Sequence, residues 1–451
     1  MENASSTSNF WQRLTAVGPA VIVASVVLGP GSILSNSKAG WQYGYDMLWV
    51  LVAACVLMAG MISLAARLGV ILTHTPCQEL RIRIGNWAAA LVGTSLFLVA
   101  TGFQFSNNLG VLFALEPMME RWEWSGIWVH WPVVVLVLLN GLVITALLAF
   151  RELYRPIERM MKYLVALMMI GFAVNLLLAR PSFTSVLNGL RPQIANSANH
   201  ASASDTFVIL GLVATTFSVG GAFYQAYLVR QKGWTTKNLG QGLWDSLFGT
   251  AVLGIMSAMI MVTAAAVLHD SPKVTQLDSA ADVARQLEPF FGVWASSLFC
   301  LGILAGALSS FLGNAAIGGT LLSDGWGCGA DINQRTPRLA TVGSLLLGMI
   351  VAVAVKQYGF NTGRLIIFAQ AITVLGNPLM AAALLWLALQ PDVRKQRLIP
   401  TWTLVLAFIG LLVVIGLSVR TSYGLWQKWR PPQTSCRWFE SQHSPLLNRL
   451  R

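Results

Sequence analysis

Ser25-Val26-Val27-Leu28-Gly29-Pro30-Gly31-Ser32 lies about halfway along an apolar run from 16 to 37. A proline between two glycines removes a backbone donor and the side chains that steady a helix, so the run breaks in its middle. A second run, 206 to 229, carries the same kind of interruption in Thr215-Thr216-Phe217-Ser218-Val219-Gly220-Gly221-Ala222. If these runs cross a bilayer, each break exposes backbone groups at a cost of several kcal/mol apiece, unless they line a cavity or find protein partners. A break in one span alone also reads as a glycine kink or a close helix contact. Two breaks at corresponding places read as paired discontinuous helices.

The composition requires the bilayer. Of 451 residues, 55% are hydrophobic and 11% charged, and mean hydropathy is +0.63. A water-soluble domain carries about 25% charged residues, so this chain cannot cover its surface in water. Apolar runs fall at 16–37, 47–72, 87–115, 131–150, 161–179, 206–229, 243–268, 290–322, 339–355, 364–389 and 399–419. A span needs roughly 20 apolar residues, so these are eleven candidate transmembrane helices, with no room for a large soluble domain.

The breaks fall in the first and sixth spans, the first helix of each set of five. The chain therefore divides into an N-terminal segment 1–15, a first repeat 16–180, a loop 181–204, a second repeat 205–389, an eleventh helix 399–421 and a tail 422–451. The fold class is all-α and polytopic, an inverted five-plus-five repeat whose half-helix ends meet near the bilayer centre. Counting Lys and Arg by alternate sides gives 16 on the side of the N-terminus and 8 on the other. The positive side is expected in the cytoplasm and the tail outside, in a plasma membrane of the bacterial type.

The net charge of +12 does not point to nucleic acid, because the basic residues sit between apolar runs. Cys55, Cys77, Cys300, Cys328 and Cys436 show no metal-ligand spacing and read as packing residues. There is no nucleophile motif, no phosphate-cradling loop and no His/Cys/carboxylate cluster, so neither an enzyme nor a cofactor is expected. The expected partners are lipid and a small ion or small-molecule substrate; the oligomeric state is left open.

Candidate substrate-binding residues follow from the breaks: Gly29, Pro30, Gly31, Ser32, Phe217, Ser218, Val219, Gly220 and Gly221, with Gln104, Tyr224 and Gln370 as polar neighbours. The middles of spans 1, 3, 6, 8 and 10 hold no Asp, Glu or His. A metal here has only Ser32 and backbone carbonyls near Gly29 and Phe217 to use, so it keeps much of its water, which favours magnesium-like chemistry. Most of the other polar residues in the spans, such as Asn107, Asn108 and Asn314, also read as interhelical hydrogen bonds. All five histidines, at 74, 130, 200, 269 and 443, lie at or beyond span ends. Intramembrane proton relays use Asp, Glu or His, so dependence on a pH gradient is not expected.

Several strings resemble one family. Gly29-Pro-Gly-Ser32, Ala39-Gly-Trp-Gln-Tyr-Gly44, Leu48-Trp-Val-Leu51 and Ser63-Leu-Ala-Ala-Arg-Leu-Gly69 are similar to the first two helices of the natural resistance-associated macrophage protein (Nramp) divalent-metal transporters. Phe150-Arg-Glu-Leu153, Gly306-Ala-Leu-Ser-Ser310 and Leu375-Gly-Asn-Pro378 extend the resemblance over roughly residues 12 to 420. It implies a leucine-transporter-like (LeuT-like) fold and proton-coupled uptake of manganese or iron. It also implies a metal site of Asp-Pro-Gly-Asn in helix one and Ala-x-x-Met then Pro-His in helix six. The chain departs from that site. Gly29 stands at the Asp position, Ser32 at the Asn, Val219 near the Met and Gly220-Gly221 at the Pro-His. The third span, Ala100 to Asn108, lacks the family's acidic residues.

Two further readings stay open from sequence. Backbone amides at the N-termini of the half-helices after each break attract negative charge, which suits a small carboxylate, an amino acid or another anion. The missing ligands also suit a sensor or scaffold derived from a transporter.

Overall fold

The computed structural model describes residues 19–121, 130–149, 154–192, 203–269, 271, 277, 279–360 and 362–429. The 1–15 segment and residues 430–451 of the tail lie outside them.

The first span is two helices, α1 (Pro19–Val27) and α2 (Pro30–Tyr43), separated at Leu28–Gly29. Pro30 occupies the first turn of α2, where its missing N–H costs nothing, so the proline begins the second half-helix. Span 2 is α3 (Leu48–Ile71), followed by the short α4 (Pro76–Arg83); spans 3 to 5 are α5 (Asn86–Arg121), α6 (Trp131–Ala149) and α7 (Tyr154–Ala179). The short α8 (Phe183–Gly189) precedes span 6, which divides into α9 (Ala203–Thr216) and α10 (Val219–Gln231) across Phe217–Ser218. Spans 7 to 10 are α11 (Leu239–Leu268), α12 (Ala280–Gly325), α13 (Arg335–Gln357) and α14 (Thr362–Ala388); α15 (Pro391–Lys395) and α16 (Thr401–Trp429) close the described chain.

Nine helical stretches among the described residues are long and apolar enough to cross a membrane. With the split first span and α14 they make eleven crossings. The connection before span 8 carries structure that hydropathy hides. A capping box between Ser279 and Asp282 starts α12 at Ala280, and Gly292, at φ +79°, bends the chain before it enters the span. Only glycine holds that conformation without strain.

Packing sorts the helices into two groups. α5, α12, α13 and α6 form one body, with α5 against α12 as its largest contact; α1, α2, α3, α10 and α11 form the other. Buried apolar side chains fill both, while Leu138, Leu142 and Leu177 on the outer surface are 67–75% exposed, as lipid-facing residues are. The helix ends carrying Arg67, Arg81, Arg83, Arg230, Arg338 and Arg394 share one face, here the basic face. On it, Arg83 donates to Asp392 of α15 at 2.7 and 2.9 Å and to Glu79 at 2.9 Å. The opposite face is tied by Arg285 to Glu120 at 2.6 Å and by Lys356 to Glu116 at 2.6 Å.

Candidate ion site at the two helix breaks

The end of α1 must satisfy carbonyls that have no next turn to receive. Span 8 does this with side chains. The Ser309 hydroxyl donates to the Ser25 carbonyl at 3.0 Å and the Ser310 hydroxyl to the Val26 carbonyl at 2.7 Å. Asn314 donates its amide to the Ser310 carbonyl at 3.0 Å and to that of Val26 at 3.5 Å. The string Ser309-Ser310-Asn314 thus clamps the first break to the α12 body.

In span 6 the Phe217 N–H closes on the Val213 carbonyl at 2.7 Å. Ser218 caps α10 by accepting from the Gly221 N–H at 3.3 Å.

Between the breaks lies a cavity of about 20 Å³, lined by Val26 and Val27, by Leu96, Val99, Ala100 and Phe103 of α5, by Thr215, Ser218, Gly220 and Gly221, and by Asn314 and Ile317. That volume suits roughly one water or one small ion. The cavity lies on the basic-face side of both breaks, because its α5, α10 and α12 residues all sit between the breaks and that face. Its polar side chains are Thr215, Ser218 and Asn314. The Thr215 hydroxyl donates to the Gly211 carbonyl at 2.8 Å, and the Asn314 amide is engaged with main-chain carbonyls. What these two offer the cavity is therefore oxygen acceptors, the Thr215 Oγ1 lone pairs and the Asn314 Oδ1.

Of the twelve residues singled out by sequence, Ser218, Gly220 and Gly221 line this cavity. Gly29 is the N-cap of α2 with extended backbone, and a side chain there would meet the Ser310 Oγ at 2.9 Å and the Asn107 Oδ1 at 3.0 Å. Pro30 packs on Gly110 of α5, and Gly31 is buried in the first turn of α2. The Ser32 carbonyl and hydroxyl both accept from Asn36 Nδ2, at 2.7 and 3.3 Å. The Phe217 ring turns toward Gly410 of α16, and Val219 is fully buried. Gln104 packs on Gly348 of α13 and belongs to a buried run of amides in which Asn107 reaches its Oε1, Asn108 its carbonyl, and Asn140 of α6 the Asn108 Oδ1. Tyr224 lies one turn beyond the cavity, stacked on Tyr227 with ring centroids 6.2 Å apart. The Gln370 side chain lies outside the described residues.

Two of the cavity's polar residues were not in the sequence-derived set, Thr215 and Asn314. Thr215 borders the second break in the sequence, a signal that could have found it. Asn314 reaches the site only through a contact 288 residues away in the chain.

Two buried carboxylates sit nearer the basic face. Asp245 of α11 accepts from the Ala20 N–H at 2.9 Å and from Gln225 at 3.3 Å, capping the start of α1 from a neighbouring helix. Asp324 of α12 accepts from the hydroxyls of Thr75 at 2.6 Å and Tyr227 at 2.7 Å. Among the described residues no three His, Cys, Asp or Glu side chains cluster as a metal site.

Comparison with known proteins agrees with this architecture. A family model described as "Natural resistance-associated macrophage protein-like" matches residues 20–424. The divalent metal cation transporter MntH of Verminephrobacter eiseniae is 24% identical over 433 residues, covering 91% of this chain and 90% of that protein. The MntH of Deinococcus radiodurans is 24% identical over 430 residues, with 92% and 90% covered. The crystal structure of an Eremococcus coleocola manganese transporter, in complex with an aromatic bis-isothiourea substituted compound, superposes with a TM-score of 0.74 at 20% identity, covering 94% of this chain and 90% of that one. A variant of the same transporter gives 0.76. These relatives are transporters by name, not enzymes, and the solved structures share the fold.

Proposed function

Because this chain belongs to the natural resistance-associated macrophage protein-like family, we propose that it is a secondary transporter of a divalent metal cation, with a site built from neutral oxygens and no proton carried alongside. The observation that carries this reading is the cavity between the two breaks. Its Thr215 and Asn314 hydrogens are engaged with main-chain carbonyls, so it presents oxygens. Hard divalent cations bind through oxygen.

The cargo crosses with part of its water. Neutral oxygens alone do not replace the hydration of a divalent ion, and magnesium, which dehydrates reluctantly, suits such a site better than manganese. Ser218, Thr215 and Asn314 form its side-chain wall, with Gly220 and Gly221 letting the backbone of α10 approach. Ser32 and the carbonyls near Gly29 enter only if Asn36 and the span-8 clamp let go of them. The basic face is the cytoplasmic face of a plasma membrane, by the excess of Lys and Arg there, which puts the N-terminus inside and the tail outside.

Flux into proteoliposomes tests the reading, with Mg²⁺, Mn²⁺ and a panel of amino and organic acids offered separately at millimolar concentration. Saturable uptake of Mg²⁺, reduced several-fold by Asn314→Ala, is the expected outcome. Absence of metal uptake with clear uptake of an acid would overturn it.

A further inference from the structure

α10 and α12 line the cavity from opposite sides, and their helical registers carry both faces on toward the basic side. On α10 the cavity residues Gly220 and Gly221 are followed one turn later by Tyr224 and a further turn later by Tyr227; on α12, Asn314 and Ile317 are followed by Thr320 and Asp324. Tyr224 faces Thr320. The two tyrosine rings stack within 16° of parallel, and both residues are at most 7% exposed. They form two successive layers across the way out of the cavity.

The backbones do not close this route. α10 packs on α3 and α1, within its own group of helices, and on α14, whereas α12 belongs to the other group. The two bodies meet here through side chains. The Tyr227 hydroxyl donates to Asp324 Oδ2 at 2.7 Å and accepts from the Cys77 N–H at 3.2 Å, which fixes its direction. Thr75, in the link between α3 and α4, donates to the same oxygen at 2.6 Å. Arg81 adds a second tie, to the carbonyls of Asp324 and Gly325 at 3.1 and 2.8 Å. Among the described residues Asp324 Oδ1 has no hydrogen-bond partner. It is a buried acceptor, left for the water that enters when the layers part.

We infer that Tyr227, latched to Asp324, is the gate that shuts the cavity from the basic face, with Tyr224 as the layer above it. The inference rests on the transporter reading for its purpose, but its geometry does not need a metal. Opening requires α10 to swing from α12 and exchange the Tyr227 hydrogen bond to the Asp324 carboxylate for water. Such bonds are the strong kind, so the closed form is favoured until the cargo or the other face changes the balance.

Thiol access reports the gate directly. Ile317→Cys places a probe on the cavity wall, in a full-length chain whose Cys328 and Cys436 are changed to Ser, and alkylation by a bulky maleimide is timed in detergent. Tyr227→Phe and Asp324→Asn are expected to raise the rate on the order of tenfold each, and the double variant no further than either single one, because both break one latch. Thr75→Val gives a smaller rise and keeps the test alive if Asp324→Asn does not fold. Asp392→Asn, which breaks an exposed ion pair on the same face, leaves the rate unchanged. Unchanged rates in both Tyr227→Phe and Asp324→Asn, or an equal rise in Asp392→Asn, overturn the gate. If the parent carries no metal yet the latch variants open the cavity, the metal reading fails and the gate stands. If metal flux is intact but access does not change, the gate fails alone.

Discussion

Gly29 is a position where a side chain cannot be added without moving a neighbour, since its Cβ would come within 2.9 Å of Ser310 Oγ and 3.0 Å of Asn107 Oδ1. Overfilling a packed site of this kind costs about 1–3 kcal/mol. Restoring the aspartate that the family resemblance implies at this position is therefore not a single substitution. Gly29→Asp alone is expected to lower the melting temperature and to bind no Mn²⁺ by calorimetry. Gly29→Asp with Asn107→Ala, which clears one of the two crowding oxygens, is expected to recover part of that stability and gain Mn²⁺ affinity. Binding by the single variant with unchanged stability would show that Ser310 and Asn107 do not fill the space. The glycine and the absence of an acid were both legible in the sequence. That an asparagine from span 3 and a serine from span 8 take up the room was not, because those contacts join residues 78 and 281 positions away along the chain.

At the scale of elements, the eleven runs and the two broken ones were readable because hydropathy and Gly/Pro punctuation are local signals. The break points were less so. The helices stop at Val27 and Thr216, leaving Leu28–Gly29 and Phe217–Ser218 as the breaks; Gly29 is extended, whereas Gly31, Gly220 and Gly221 are already helical. A proline at a first turn and a serine cap start the second halves. The short surface helices have no hydropathy signal and depend on capping and ion pairs. α4 and α15 are joined by Arg83 and Asp392, and the hydrogen bond from Arg83 holds the Asp392 carboxyl down at about 2. Burial pushes the Glu79 carboxyl up, but hydrogen bonds from Arg83 and the His74 N–H more than offset this and hold it low. A carboxyl depressed in the folded state stabilises it fully above its unfolded value near 4 and loses that contribution as pH falls toward 2. The difference in thermal midpoint between the parent and Asp392→Asn should be constant from pH 7 to about 4.5 and vanish on approaching pH 2. A difference that instead grows on acidification would mean the pair does not hold the two helices together.

Across the whole molecule, the placement of charge decides what can drive transport. The carboxylates buried among the described residues are Glu79, Asp245 and Asp324. Glu79 belongs to surface helix α4, Asp245 caps α1 near the basic face, and Asp324 is occupied by the Tyr227 latch; none lines the cavity. Span 3 runs past the site with amides, Gln104, Asn107 and Asn108, joined to Asn140. Amides hold an orientation but neither gain nor lose a proton, so among the described residues the cavity itself gives a cation no titrating partner, and Asp324, on the way to the basic face, is held in the latch. A carrier that moved one proton with each cation would gain about 1.4 kcal/mol per unit of pH gradient, a tenfold accumulation. The voltage term acts regardless, because each charge crossing 100 mV is worth about 2.3 kcal/mol and a divalent ion carries two. Proteoliposomes clamped at zero voltage should therefore show the same initial metal uptake, within about twofold, with and without one unit of pH gradient, while an inside-negative potential accelerates it. Uphill accumulation driven by the pH gradient alone would require Asp245 or Asp324 to release its helix partner and carry the proton. Repeating the measurement with Asp245→Asn and Asp324→Asn would then show which one, since only loss of the carrier residue abolishes the pH-driven component while leaving the voltage-driven one.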